Sequence, residues 1–110
     1  MSIEDDKYDP LWRKAVTKKF GEKCIHCNST ATTRAHLIGR NNRKVRFIVE
    51  DGRPFCHYLH RYYDSLSDHA KKELLKIYIE DGELLFHNLM MISRGMATAK
   101  DFGYEDVRDV

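Results

Sequence analysis

The feature that most constrains this chain is a set of three cysteines, Cys24, Cys27 and Cys56, in a sequence of only 110 residues. A domain this short buries a limited core, and small domains often recruit a metal or a disulfide as a staple. Three thiols cannot all pair within the chain. The stretch from Met1 to Asp9 is acidic and polar, unlike a signal peptide, and no apolar run is long enough to span a bilayer. The expected setting is a reducing cytoplasm, where clustered cysteines are more often zinc ligands than disulfides. Cys24-Ile25-His26-Cys27 places two thiolates on a tight turn, and the following Asn28 tolerates the left-handed backbone that such knuckles often need. A redox pair is the rival, but redox pairs open a helix after a strand in an alternating α/β pattern, which is not seen here. Cys56, between a predicted strand and a predicted helix, supplies a third thiolate. A second C-x-x-C would place cysteine at 59, where Leu59 stands. The fourth ligand is therefore open among His57, His60 and His69, and unligated buried cysteines are the alternative.

The pattern of elements predicts an α+β fold in one domain, residues 1–110, with a core over about 11–67 and a helical extension over about 68–98. Asp9-Pro10 reads as a helix start, an acidic N-cap followed by proline at the first helical position. Leu11, Trp12, Ala15, Val16, Lys19 and Phe20 follow as a face at helical spacing, and Gly21 ends the helix. Ala31 to Ile38 reads as a strand, residues 39–44 as a polar basic loop, Val45 to Val49 as a second strand and Asp51-Gly52 as a turn. A helix runs from about His57 to Leu66. Ser65 or Ser67 caps the next one, His69 to Glu80, which Asp81-Gly82 breaks. Leu85, Leu89, Ile92 and Met96 mark a last helical stripe. Met90, Met91 and Met96 read as gap-filling core or as a binding surface. Roughly the last eight residues are expected to fray.

The formal net charge of +2 hides an asymmetry. Leu11 to Arg46 holds ten Lys/Arg against the single acid Glu22, while the tail from Asp101 carries four acids against Arg108. A basic half of that density is the footprint expected of a phosphate-backbone partner; the alternative is a solvated surface. His36 lies in a strand-like segment, and by itself reads as a core histidine. His60 and Asp64, at i and i+4, share a helix face. An imidazole and a carboxylate on one face can ligate a divalent ion, or simply form a surface hydrogen bond. Together the three suit phosphodiester hydrolysis. A histidine can take the proton of the attacking water, a metal ion can stabilise charge on the phosphate, and arginines such as Arg34, Arg40 and Arg61 can hold the backbone.

In order and spacing, Cys24-x-x-Cys27, Ala35-His36-Leu37-Ile38 and Cys56-x-x-Leu59-His60 resemble the HNH endonucleases, the ββα-metal group. Leu59-His60-Arg61-Tyr62-Tyr63-Asp64 is similar to the L-H-R-x-F-D helix of one branch. The resemblance covers about Leu11 to Ser67. It implies a ββα-metal core with a zinc knuckle, an N-terminal helix and C-terminal helices. It implies an enzyme hydrolysing DNA with one divalent ion, magnesium or a transition metal. His36 would then be the general base, His60 and Asp64 would hold the catalytic ion, and Cys24, Cys27 and Cys56 would hold structural zinc. Arg34, Arg40, Arg43, Lys44 and Arg61 would contact the nucleic acid. Small members of this kind are often encoded by bacterial viruses; a packaging partner or a homodimer is left open. The sequence departs from the pattern at Ala35, where many members carry Asp or His. It departs again at Asp51, which stands near the place of the central Asn and could ligate metal, and at Leu59. The alternative readings are a zinc-stapled nucleic-acid-binding module without catalysis and an interaction domain using the methionine-rich helix.

Overall fold

The computed structural model describes residues 3–39 and 41–109. Among them the chain forms an α+β fold of four α-helices and one two-stranded antiparallel sheet. Helix α1 spans Ile3–Phe20 and so begins well before the expected Asp9-Pro10 start, with Pro10 inside it. A proline within a helix removes one backbone hydrogen bond. Ion pairs to the body of the protein hold the turns that precede it. The buried Arg46 guanidinium bonds Asp9 at 2.9 Å and reaches Asp5 at 3.5 Å, and Arg43 bonds Asp5 at 3.0 Å. Gly21, at φ +84°, ends the helix as expected.

Strand β1, Thr33–His36, lies within the expected strand. It pairs with β2, Gly52–Phe55, placing Thr33 opposite Phe55 and His36 opposite Gly52. The expected second strand, Val45 to Val49, is not one. Its residues are all buried, but Val45 and Ile48 enter one apolar cluster while Phe47 and Val49 enter another. A pleated strand would send Val45, Phe47 and Val49 to the same face. The backbone winds instead. The N–H groups of Val45 and Arg46 both donate to the Asn42 carbonyl, at 3.2 and 3.0 Å, and a 3-10 turn at Val49–Asp51 leads into β2. The expected Asp51-Gly52 turn is this junction.

Helices α2 (His57–Asp64), α3 (Asp68–Tyr78) and α4 (Gly82–Ser93) follow. The Ser67 hydroxyl caps α3 by accepting from the Ala70 N–H. A Cβ at Gly82 would lie 2.0 Å from the Leu75 carbonyl oxygen, so only glycine lets α4 start this close to α3. Leu85, Leu89 and Ile92 are buried as the stripe predicts, and Met90 packs against the core, but Met96 is exposed beyond the helix.

The larger cluster joins the sheet to α2, α3 and α4 through Ala35, Phe55, Leu59, Tyr63, Leu75 and Leu89, among others. The smaller one packs Trp12 and Val16 of α1 on Phe47, Val49 and Val107. Two short 3-10 segments, Ala99–Phe102 and Val107–Asp109, complete the chain. The tail is pinned rather than frayed. Val107 is buried, Val49 N–H donates to the Glu105 carbonyl at 2.7 Å, and the Glu50 carboxylate accepts from the Glu105 N–H at 2.8 Å. No helix among the described residues is long and apolar enough to cross a membrane.

Candidate metal centre and basic cleft

The knuckle forms because the chain reverses tightly between α1 and β1. Asn28 takes the left-handed conformation at φ +60°, its N–H donates to the Cys24 carbonyl at 3.0 Å, and Cys24 N–H donates to the Ser29 carbonyl at 2.8 Å. The Ile25 N–H donates to the Pro54 carbonyl and ties the turn to β2. Cys56 follows β2 directly and caps α2, its sulfur accepting from the Leu59 N–H at 3.4 Å. The three Sγ atoms lie within 4.8 Å of one another, close enough to hold a structural metal ion such as zinc.

The chemistry of the donors fits such an ion. The His26 N–H points at the Cys24 sulfur at 3.4 Å. The side chain and backbone of Ser29 draw the exposed Cys27 thiol down to about 6. At Cys56 the Leu59 N–H favours the thiolate, but burial and the two neighbouring thiols win and push the group above its ordinary value. Several thiolates side by side repel one another unless a cation sits among them. No described histidine or carboxylate joins the three sulfurs. His26 is turned against Tyr78, His69 is exposed in the first turn of α3, and His60 is engaged elsewhere. Leu59, in the place of a fourth cysteine, is buried in the core.

His36, His60 and Asp64 line one cleft of about 900 Å³ between α1, β1 and α2. β1 alternates between its two sides. Ala35 enters the core, while Arg34 and His36 face α1. The His36 ring lies flat on the Trp12 indole, with ring centroids 4.0 Å apart and planes within 1°. Trp12 is buried and donates its own N–H to the Ile48 carbonyl at 2.8 Å. It can approach β2 because Gly52 has no side chain: a Cβ there would sit 2.5 Å from the indole.

Hydrogen bonding assigns the tautomers of both histidines. His36 Nε2 lies 3.1 Å from the Arg46 carbonyl, which can only accept, so Nε2 carries a proton and, in the neutral ring, Nδ1 is the basic nitrogen. The Thr33 hydroxyl donates to the Phe55 carbonyl at 2.8 Å, so toward His60 Nδ1, 3.0 Å away, it can only accept. His60 thereby carries a proton at Nδ1, and its Nε2 faces Asp64 Oδ2 at 3.4 Å. The pair forms an ion pair when the imidazole is protonated, and in the neutral ring Nε2 and the carboxylate are two donors able to face one cation.

Asp51 does not join this set. It is fully buried, and its Oδ1 accepts from the Ile38 N–H at 2.9 Å, holding the end of β1 beside β2. Its Oδ2 has no partner among the described residues, and burial holds the carboxyl well above the usual range. Asp51 thus serves the backbone of the sheet and joins no cluster of metal-ligating side chains among the described residues.

The expected phosphate-binding residues divide. Arg34 lines the cleft but is anchored, with Nε on Thr17 Oγ1 at 2.7 Å and Nη1 on the Thr33 carbonyl at 3.0 Å. Arg61 is exposed on α2 outside the cleft lining, Arg43 and Lys44 line a separate depression beside Ile92, and Arg40 lies outside the described residues. The cations that the sequence reading missed as contacts are Arg13, Lys14 and Lys18, which α1 presents to the cleft. Their signal was spacing: positions 14 and 18 lie one helical turn apart on the polar side of an amphipathic helix. Comparison with protein-family models, with curated proteins and with solved structures finds no match to this chain.

Proposed function

We propose that this chain is a metal-dependent HNH endonuclease, its ββα-metal core made of β1, β2 and α2 and its knuckle stapled by zinc. The observation that carries the reading is that His36, His60 and Asp64 line one cleft, with His36 Nε2 on the Arg46 carbonyl and His60 Nδ1 on the Thr33 hydroxyl. A basic nitrogen at His36 Nδ1 and a ligand-competent nitrogen at His60 Nε2 beside a carboxylate are the two functions that hydrolysis of a phosphodiester needs. His36 Nδ1 takes a proton from the attacking water. The Arg46 carbonyl fixes the opposite nitrogen and stabilises the imidazolium that forms. Trp12 holds the ring plane. His60 Nε2 and Asp64 Oδ2 would hold the divalent ion, an imidazole and a carboxylate that a transition metal such as manganese or nickel accepts and magnesium accepts through the carboxylate. Such an ion would polarise the phosphate and stabilise charge on the leaving oxygen. The new bond joins water oxygen to phosphorus, and the bond from phosphorus to the sugar oxygen breaks.

Supercoiled plasmid incubated with the protein and Mg²⁺, Mn²⁺ or Ni²⁺ is expected to be nicked or linearised. His36→Ala should slow this by about 10²–10⁴-fold, and His60→Ala should do the same while keeping its zinc. Equal cleavage by His36→Ala, or none by wild type in any metal, would reject the reading. DNA binding without cleavage would leave a zinc-stapled nucleic-acid-binding module.

A further inference from the structure

We infer that α1 is the phosphate-binding wall of the cleft, and that Arg13, Lys14 and Lys18 hold the sugar-phosphate strand against it. The inference takes from the proposed function only the location of the scissile phosphate, near His36 and His60. Three observations carry it. All three side chains are exposed and line the cleft that holds His36, His60 and Asp64. None has an ion-pair partner among the described residues, whereas the neighbouring cations are committed: Lys19 to Glu50, Arg46 to Asp9 and Arg43 to Asp5. Lys14 and Lys18 are one turn apart, about 6 Å along the helix axis, a step comparable to that between successive phosphates of an extended strand.

The surroundings favour a polyanion over a small anion. The three cations are spread over more than one turn of α1, Lys14 and Lys18 in one row and Arg13 beside it. Arg34 extends the row onto β1, where Thr17 Oγ1 and backbone carbonyls lock its guanidinium. The acids of the cleft are Asp9, neutralised by Arg46, Glu22 at the far end and Asp64 on α2. The opposite wall thus carries His60 and Asp64, and α1 the row of positive charge. A strand lying between them would present a phosphate to both. Because Trp12 lies on the same helix and beneath His36, binding along α1 and placement of the base are set by one rigid element.

The test is DNA binding in Ca²⁺, measured by fluorescence anisotropy with a labelled single strand and a labelled duplex over a range of NaCl concentrations. The Arg13→Ala/Lys14→Ala/Lys18→Ala variant is expected to bind both at least about ten-fold more weakly, with a salt slope lower by about one unit for each cation that meets a phosphate. A variant with equal charge removed elsewhere, Lys72→Ala/Lys76→Ala/Lys100→Ala, should keep the wild-type slope. Circular dichroism and zinc content check the fold, and single Lys14→Gln and Lys18→Gln variants read the same slope should the triple variant misfold. An unchanged slope in the triple variant, an equal loss in the control, or no binding by wild type would overturn the inference. Binding that depends on α1 but is never followed by cleavage rejects the hydrolase and keeps the wall. Cleavage that survives the triple variant at full affinity does the reverse.

Discussion

Asp51 shows how much one side chain depends on its surroundings. In sequence it is an acid near a metal-binding pattern. In the fold it is a buried group whose one engaged oxygen accepts from the backbone of Ile38. Its carboxyl is held above the usual range because burial penalises the charge more than the Ile38 and Leu37 N–H groups and Arg53 relieve it. The folded state therefore keeps a proton that the unfolded chain releases above about pH 4. Between those two pKa values the native state binds more protons, so this group makes stability fall as pH rises. Asparagine supplies the same acceptor without a charge. Asp51→Asn should match wild type to within about 1 kcal/mol near pH 4.5 and become the more stable of the two toward pH 8. Urea denaturation at the two pH values measures the difference, and a variant less stable at both would show that the carboxylate is needed ionised.

Elements are fixed here by ties between segments as much as by local propensity. Pro10 reads as a helix start, and that reading uses its chemistry correctly. It fails because Asp5 and Asp9, on the preceding turns, are bound by Arg43 and Arg46 from a segment more than thirty residues away. Arg46 is almost fully buried among these partners. Replacing it with alanine leaves Asp9 without its guanidinium and Asp5 with Arg43 alone, a loss expected to cost about 3 kcal/mol. In Arg46→Ala the turns of α1 before Pro10 should also open. Urea denaturation would report the first effect and hydrogen exchange over residues 3–10 the second. Wild-type protection there would show that the turns stand without the pairs. The segment from Val45 to Val49 carries the same lesson. Its β-branched composition suits a strand, yet two clusters compete for its side chains and the backbone winds to serve both.

Over the whole molecule the knuckle is the joint between the parts. Cys24 and Cys27 lie between α1 and β1, Cys56 lies between β2 and α2, and Cys24 is itself buried in the larger cluster. An ion on these sulfurs would cross-link α1, the sheet and α2, the three elements that wall the cleft. The purified protein is expected to carry one zinc per chain. Its release by a mercurial thiol reagent, or Cys56→Ser, should lower the Tm by well over about 10 °C, as calorimetry would show. Protein that contains no zinc, and whose Tm does not respond to it, would remove zinc as the joint.

The sequence by itself determined the local chemistry: the knuckle turn at Cys24 to Asn28, the strand around His36, the α2 face shared by His60 and Asp64, and the buried stripe of α4. These are short-range properties, set by spacing and by the backbone preferences of glycine, asparagine and proline. Only the tertiary structure decided which nitrogen of each histidine meets a carbonyl or a hydroxyl, that Asp51 is buried away from the cleft, and that α1 contributes Trp12 and the cations Arg13, Lys14 and Lys18. Those outcomes depend on carbonyls, hydroxyls and apolar surfaces brought in from distant segments, and spacing along a chain does not encode such neighbours.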